Sequence, residues 1–165
     1  MKRTNYSASW RFLWRGLLGY AAYYALFPMW LPAALNKLRG VKIDDFRRVY
    51  IAPNVLIDSL YPEAVTIEAE VYLTRGVKVI AHFNPTNPLA EIIGINSEIK
   101  LVSIGFGTFV GVNAIILPGV QIGRCCIIGA GAVVTKSVPD FSIVTGNPAQ
   151  ITGDVRLLRQ GPSES

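Results

Sequence analysis

Residues 104–139 divide without a gap into six hexads: IGFGTF, VGVNAI, ILPGVQ, IGRCCI, IGAGAV and VTKSVP. The first position is β-branched every time, as Ile104, Val110, Ile116, Ile122, Ile128 and Val134. The second is glycine in four of the six, and the fifth is small or compact: Thr108, Ala114, Val120, Cys126, Ala132 and Val138. A helix face recurs every 3.6 residues and a strand face every two, so a strict period of six fits neither alone. Six residues supply a short strand and a turn, and a hexapeptide period is a β-helix signature.

In such a coil the first residue points inward and stacks on its equivalent in the next turn. The fifth also faces in, where a narrow prism has no room for bulk. Glycine at the second position is expected to relieve the backbone at the corner. Three hexads then make one 18-residue coil, with coils about 4.8 Å apart. The same spacing recurs upstream, from Ile51 to Ile57 and through Ile67, Leu73 and Val79. Between these, Asp58–Pro62 adds a corner loop, and from Phe83 the pattern lapses into FNPTNPLAEIIGINS. Its prolines and asparagines mark a loop leaving the coil. The expected organisation is mainly β. A basic, apolar helical segment spans 1–40, and four to five coils span 41–152 with a loop at 83–98. A short helix over about 154–160 and a fraying tail occupy 153–165.

Composition excludes several alternatives. The chain is 51% hydrophobic and 16% charged, too apolar for disorder and sufficient for a core. Its +5 charge is not spread evenly: residues 1–48 hold nine Lys/Arg against Asp44 and Asp45, whereas 49–165 hold seven against nine acids. That is not the footprint of a nucleic-acid binder. The only cysteines, Cys125 and Cys126, are adjacent, which allows no disulfide framework and no CxxC site. Both read as small apolar fillers in a reducing compartment. His82 is the only histidine, so no site can draw two or three from one chain.

Gly16–Leu35 runs for twenty residues without a charge, between Arg11 and Arg15 on one side and Lys37 and Arg39 on the other. Length alone would permit a membrane span. Pro28 and Pro32 would break its second half, and Tyr20, Tyr23, Tyr24 and Trp30 suit an interface better than a hydrocarbon centre. A cleaved signal peptide is disfavoured by the length of the run and by the lack of a small-x-small site after it. Interfacial membrane contact and packing on the protein remain, with the first preferred. The expected location is cytoplasmic, peripheral at the inner face of the membrane.

The hexads, followed by Val134–Pro139 and then Gly146-Asn147-Pro148-Ala149, resemble the hexapeptide-repeat O-acetyltransferases of the maltose, galactoside, serine and surface-polysaccharide type. The resemblance spans roughly residues 41–152. It implies a left-handed parallel β-helix, a homotrimer with sites between subunits, and acetyl-coenzyme A as donor, with no metal. It also implies that His82 is the general base, deprotonating an acceptor hydroxyl as that oxygen attacks the thioester. Imidazole titrates near neutrality and suits that role.

For the acceptor, Asp58 matches the position where relatives place Asp or Asn, and Tyr61 and Asn84 are candidates beside it; relatives often have Asp directly after the histidine, where this chain has Phe83 and Asn84. Asp58 also suits a corner loop for its own backbone, and Asn84 suits a turn. For the donor, the resemblance implies Gly111, Val112, Gly129 and Ala130 along the pantetheine. Thr135 and Lys136 fall near the phosphates, and Asn147 and Pro148 near the adenine. Relatives often place a basic residue after GNPA and Trp in the hexad of Phe109; Gln150 and Phe109 depart from this, and Arg156 is a candidate replacement charge. Glu70 and Glu98 are the nearest candidate carboxylates to orient His82, beside a backbone carbonyl.

Three rival readings fit the sequence less well. A carbonic anhydrase on the same coil needs three histidines around zinc, which one histidine per chain does not provide. A non-catalytic scaffold fits the repeat but leaves His82, Lys136 and GNPA without a task. A serine acetyltransferase usually carries a larger helical amino-terminal domain than residues 1–40.

Overall fold

The structure, a computed structural model, describes residues 10–25 and 28–159. Lys2, Arg3 and the GPSES tail lie outside the described residues. Two helices open the chain, α1 (Trp10–Tyr24) and α2 (Leu31–Arg39). The uncharged run is therefore not one helix. Pro32 sits in the first turn of α2, where its missing N–H has no intrahelical partner to lose. Among the described residues, no helix is long and apolar enough to cross a membrane. The helix α2 packs on the first coil and buries Pro32, Ala33, Asn36 and Arg39.

The first coil consists of β1 (Lys42–Ile43), β2 (Tyr50–Ile51) and β3 (Leu56–Ile57). The second consists of β4 (Val65–Ile67), β5 (Tyr72–Leu73) and β6 (Lys78–Val79). An insertion follows, made of β7 (His82–Phe83), α3 (Asn87–Ile93) and β8 (Glu98–Ile99). The third coil has β9 (Val102–Ile104), β10 (Phe109–Val110) and β11 (Ile115–Ile116). The fourth has β12 (Gln121–Ile122), β13 (Ile127–Ile128) and β14 (Val133–Val134). A partial fifth turn follows, with Val138 bridged to Ile122 and then β15 (Ser142–Gly146), on which β16 (Ala149–Asp154) folds back antiparallel.

Strands in equivalent places stack into three parallel sheets, β1-β4-β9-β12, β2-β5-β10-β13-β15 and β3-β6-β11-β14, with β16 closing the edge of the second. The period of six survives as register. Ile104 pairs with Ile122, Val110 with Ile128 and Ile116 with Val134, each eighteen residues on. From the second coil to the third the step is thirty-seven, as in Val79↔Ile116, so nineteen residues are inserted without disturbing the stack. All six first-position and all six fifth-position residues are buried. Thr108, the one hydroxyl among them, donates to the Gly123 carbonyl and accepts from the Cys126 amide.

Two expectations about the repeat change. The second-position glycines do not have positive φ. They are needed because the next coil is too close: a Cβ on Gly111 would lie 2.6 Å from the Ala130 nitrogen, and one on Gly105 2.6 Å from the Gly123 carbonyl carbon. The left-handed conformation falls instead on the fourth position, at Gly107, Asn113, Gly119, Cys125 and Gly131. It recurs three residues beyond Ile51, Ile67, Leu73 and Val138, at Asn54, Glu70, Gly76 and Phe141. Cys126 is the core filler expected, whereas Cys125 is a half-buried corner residue at φ 50°.

The segment read as a loop over 83–98 also contains structure. Its Pro88 lies in the first turn of α3, which ends at the left-handed Gly94. The strands β7 and β8 pair antiparallel at its base, His82 opposite Ile99 and Phe83 opposite Glu98. A proline in a first turn starts a helix rather than excluding one. At the carboxyl end the expected helix is a 3₁₀ segment, Val155–Arg159.

Candidate functional site

Asp58 follows β3 directly, and His82 lies three residues beyond Val79 of β6. Ile57 and Val79 pair in the third sheet, so both residues leave the prism at one corner. The Asp58 amide donates to the Val79 carbonyl, which stacks the first coil on the second at this point. The Asp58 side chain has no exposed surface, while that of His82 is 21% exposed. Oδ1 of Asp58 accepts from the amides of Leu60 and Tyr61 at 3.0 and 2.9 Å. Oδ2 accepts from the Ala81 amide at 2.7 Å and lies 2.6 Å from Nδ1 of His82.

Burial acts to raise the Asp58 carboxyl, but the Tyr61 amide, the His82 imidazole and the Ala81 amide outweigh it and hold it below its ordinary value. Asp58 is therefore ionised at neutral pH and can only accept. Nδ1 of His82 must then be the donor, which leaves the lone pair of the neutral ring on Nε2. The Tyr61 ring packs edge-on against the imidazole, with centroids 5.4 Å apart. Together these contacts set both the tautomer and the plane of the ring.

The structure brings together His82, Asp58 and Tyr61. It gives Asp58 a different position from the acceptor contact expected of it, because a fully buried carboxylate with both oxygens engaged cannot also meet a sugar. The orienting group is Asp58, not Glu70 or Glu98, whose carboxylates pair with Arg48 at 2.8 Å and Lys100 at 3.0 Å. A sequence signal existed in the paired inward residues Ile57 and Val79, which put the following corners side by side. Asn84 is exposed, and its Oδ1 accepts from Ser97 Oγ at 2.6 Å across the base of the insertion.

Arg39 had no sequence signal. Its buried guanidinium donates from Nε to Asn36 Oδ1, from Nη1 to the Asp58 carbonyl at 2.8 Å, and from Nη2 to the Ile57 carbonyl. Burial lowers its pKa to about 10, against the pull of the Asp58 carboxylate, so it stays charged at neutral pH.

The residues expected at the donor separate into two corners. Gly111, Val112, Gly129 and Ala130 follow β10 and β13 of the second sheet; Thr135 and Lys136 follow β14 of the third, the sheet whose corner also carries His82. The Gly111 and Gly129 amides donate to the Ile128 and Val144 carbonyls, so they are committed to the coil. Val112 and Ala130 are exposed beside them. Thr135, Lys136, Asn147 and Pro148 are exposed too, the last two joined by a cis peptide bond in the β15–β16 turn. Arg156 is held by Asp154 and stacks over Phe141, so its charge is already engaged.

Residues 102–136 match the family model described as bacterial transferase hexapeptide (six repeats). A Bacillus subtilis protein named "Putative acetyltransferase YvoF" is 33% identical over 97 residues, 59% of this chain and 52% of that protein. The chain spans about half, or less, of the length of the curated relatives it matches. A solved Vibrio cholerae hexapeptide-repeat acetyltransferase complexed with acetyl-coenzyme A is similar with a TM-score of 0.67 at 18% identity, covering 94% of this chain and 92% of that one. A galactoside acetyltransferase in complex with coenzyme A gives 0.66 at 18% identity, over 94% and 86%. At these identities the two structures establish a shared fold.

Proposed function

From a chain whose residues 102–136 carry the bacterial transferase hexapeptide repeat, we infer an O-acetyltransferase that moves acetyl from acetyl-coenzyme A to a hydroxyl of a sugar or glycan. One observation carries this reading: the buried Asp58 carboxylate beside Nδ1 of a partly exposed His82. That pair equips Nε2 to take the proton of an acceptor hydroxyl as its oxygen attacks the thioester carbonyl. The C–S bond then breaks, and the imidazolium returns the proton to the departing thiolate. Asp58 stabilises the imidazolium in between, and such a base contributes about 10²–10⁴-fold.

The β-helix is left-handed in this reading, and the active unit is a homotrimer. The division of the donor residues between two corners supports it, since a second copy would bring the missing corner to His82. The outer faces carry exposed Leu56, Tyr72, Phe106 and Phe109 for such contacts. Val112 and Ala130 would line the pantetheine, Lys136 would face the phosphates, and Asn147 and Pro148 would lie near the adenine. Tyr61 and Asn84 border the acceptor.

The amino-terminal helix supports a lipid-linked acceptor. Along α1, Leu13, Trp14, Leu17, Tyr20 and Tyr24 are exposed, as are Met29 and Trp30 ahead of α2. Apolar and interfacial aromatic side chains beside a basic segment suit a surface of anionic lipid. Sedimentation with anionic vesicles tests this, and Leu17→Glu with Trp14→Glu should abolish it.

Calorimetry with acetyl-coenzyme A tests the transferase itself. Saturable binding is expected, weakened by Lys136→Glu and spared by His82→Ala. No binding at millimolar donor by the folded protein would overturn the reading and favour a scaffold.

A further inference from the structure

Arg39, a residue only 3% exposed, ends α2 at the point where the first coil turns into Asp58. Asn36 Nδ2 donates to the Pro32 carbonyl at 2.8 Å, and Asn36 Oδ1 accepts from Arg39 Nε at 2.8 Å. The two terminal nitrogens of Arg39 then donate to the carbonyls of Asp58 and Ile57. A continuous set of bonds thus runs from the first turn of α2 into the peptide that carries the partner of His82.

We propose that Arg39 is a positioning residue for the transfer assigned to His82, an inference that rests on the transferase reading. The planar fork grips two successive carbonyls in a fixed geometry, which an apolar side chain cannot do and a flexible ammonium does with less control of direction. Gripping Ile57 and Asp58 sets where the Asp58 carboxylate stands, and the carboxylate sets the imidazole. A guanidinium is costly to bury, and hydrophobic residues of similar volume fill such places with less desolvation. No carboxylate lies within ion-pair distance of Arg39 among the described residues, so its charge is aimed at the peptide and at the field around Asp58. A cavity of about 220 Å³ between α1 and the first coil, lined by Tyr20, Tyr23, Asn36, Arg39, Ile57 and Ser59, backs this contact. With the fork removed, the Ile57–Ser59 peptide has room to move on that side.

The single histidine makes its ring a one-residue probe. The full chain, labelled with ¹⁵N at histidine, is compared with Arg39→Met, Arg39→Lys and Asn36→Ala. Arg48→Met, which breaks a surface ion pair with Glu70, is the control. Long-range ¹H–¹⁵N spectra at a pH where the ring is neutral report the tautomer, and acetyl-coenzyme A turnover with a hydroxyl acceptor reports function.

Native protein and Arg48→Met should give one Nδ1–H tautomer. Arg39→Met should give a mixture, with kcat lower by about 10–100-fold and KM for the donor within about twofold, as expected for misplaced catalytic groups. Arg39→Lys and Asn36→Ala should fall between, and they decide the matter if circular dichroism finds Arg39→Met unfolded. Folded variants with the native tautomer and native kcat would overturn the proposal. Failure of the native protein to bind donor or acetylate any hydroxyl would overturn the transferase reading instead. The imidazole spectra would still decide whether Arg39 sets His82.

Discussion

Nδ1 of His82 lies 2.6 Å from Oδ2 of Asp58, a carboxylate that four donors share and that water does not reach. The arrangement separates two tasks within one corner of the prism. The buried partner fixes which ring nitrogen carries the proton, and the exposed edge of the ring is left for chemistry.

The pair should therefore behave as a unit. Asp58→Asn removes the ionised acceptor and allows the other tautomer, so kcat should fall by about 10²–10⁴-fold. His82→Ala should cost a similar amount, and the double variant little more than either alone. Steady-state kinetics with donor saturating would check this; additive losses would mean that the two residues act separately.

Acid should expose what Asp58 contributes to stability. Its folded pKa is depressed, because hydrogen bonds outweigh burial. A depressed carboxyl stabilises the fold fully above its unfolded pKa, about 3.9, and the contribution fades as pH falls toward and through the folded value. Below about pH 4 the gap in unfolding free energy between the native protein and Asp58→Asn should shrink as the Asp58 carboxyl takes up its proton. Urea titrations across that range would measure it, and a gap that widened in acid would contradict the sign.

The two kinds of glycine should respond differently to alanine. Gly111→Ala drives a Cβ to 2.6 Å from the Ala130 nitrogen, and such overpacking costs roughly 1–3 kcal/mol. Gly131 has open space around its missing side chain but a φ of +68°, so Gly131→Ala should cost only the left-handed penalty, roughly 1–2 kcal/mol. Crystal structures of the variants would separate them: shifted coils in the first case, an unmoved stack in the second.

Cys125 occupies a left-handed corner and is only half-buried there. Cys125→Gly should raise stability by about 0.5–1 kcal/mol, the left-handed penalty less the entropy glycine loses. Cys126 is buried, and burial raises its thiol pKa above the ordinary value. A thiol reagent should modify one cysteine in the folded protein and two after denaturation. Rapid labelling of both would show that the fourth coil opens.

Much of the fold was legible because its period is short and its core is one-dimensional. A β-branched residue every six positions can be buried on one side only if the chain coils, so Ile104 through Val134 dictate three stacked sheets without reference to distant contacts. The insertion after Val79 was legible as a break in that period. Its helix was not, because Pro88 reads equally as a turn residue and as a first-turn residue, and only the pairing of β7 with β8 fixes the ends it spans. The reason for the second-position glycines was hidden for a similar cause: close approach between coils depends on their spacing, not on any local conformational preference.

The site divides the same way. His82 stood out from the sequence as the lone titratable imidazole at the mouth of an interruption. That Asp58 and not Glu70 or Glu98 holds it was decided by register, which sets Ile57 against Val79 and places two corners from successive coils in contact. Arg39 reaches that corner only because α2 folds over the first coil and ends there. Sequence by itself determined the repeating unit and the candidate base, since both are local in the chain. Tertiary structure decided the partner, the tautomer and the support behind them, because each depends on groups joined only by the stacking of one coil on the next.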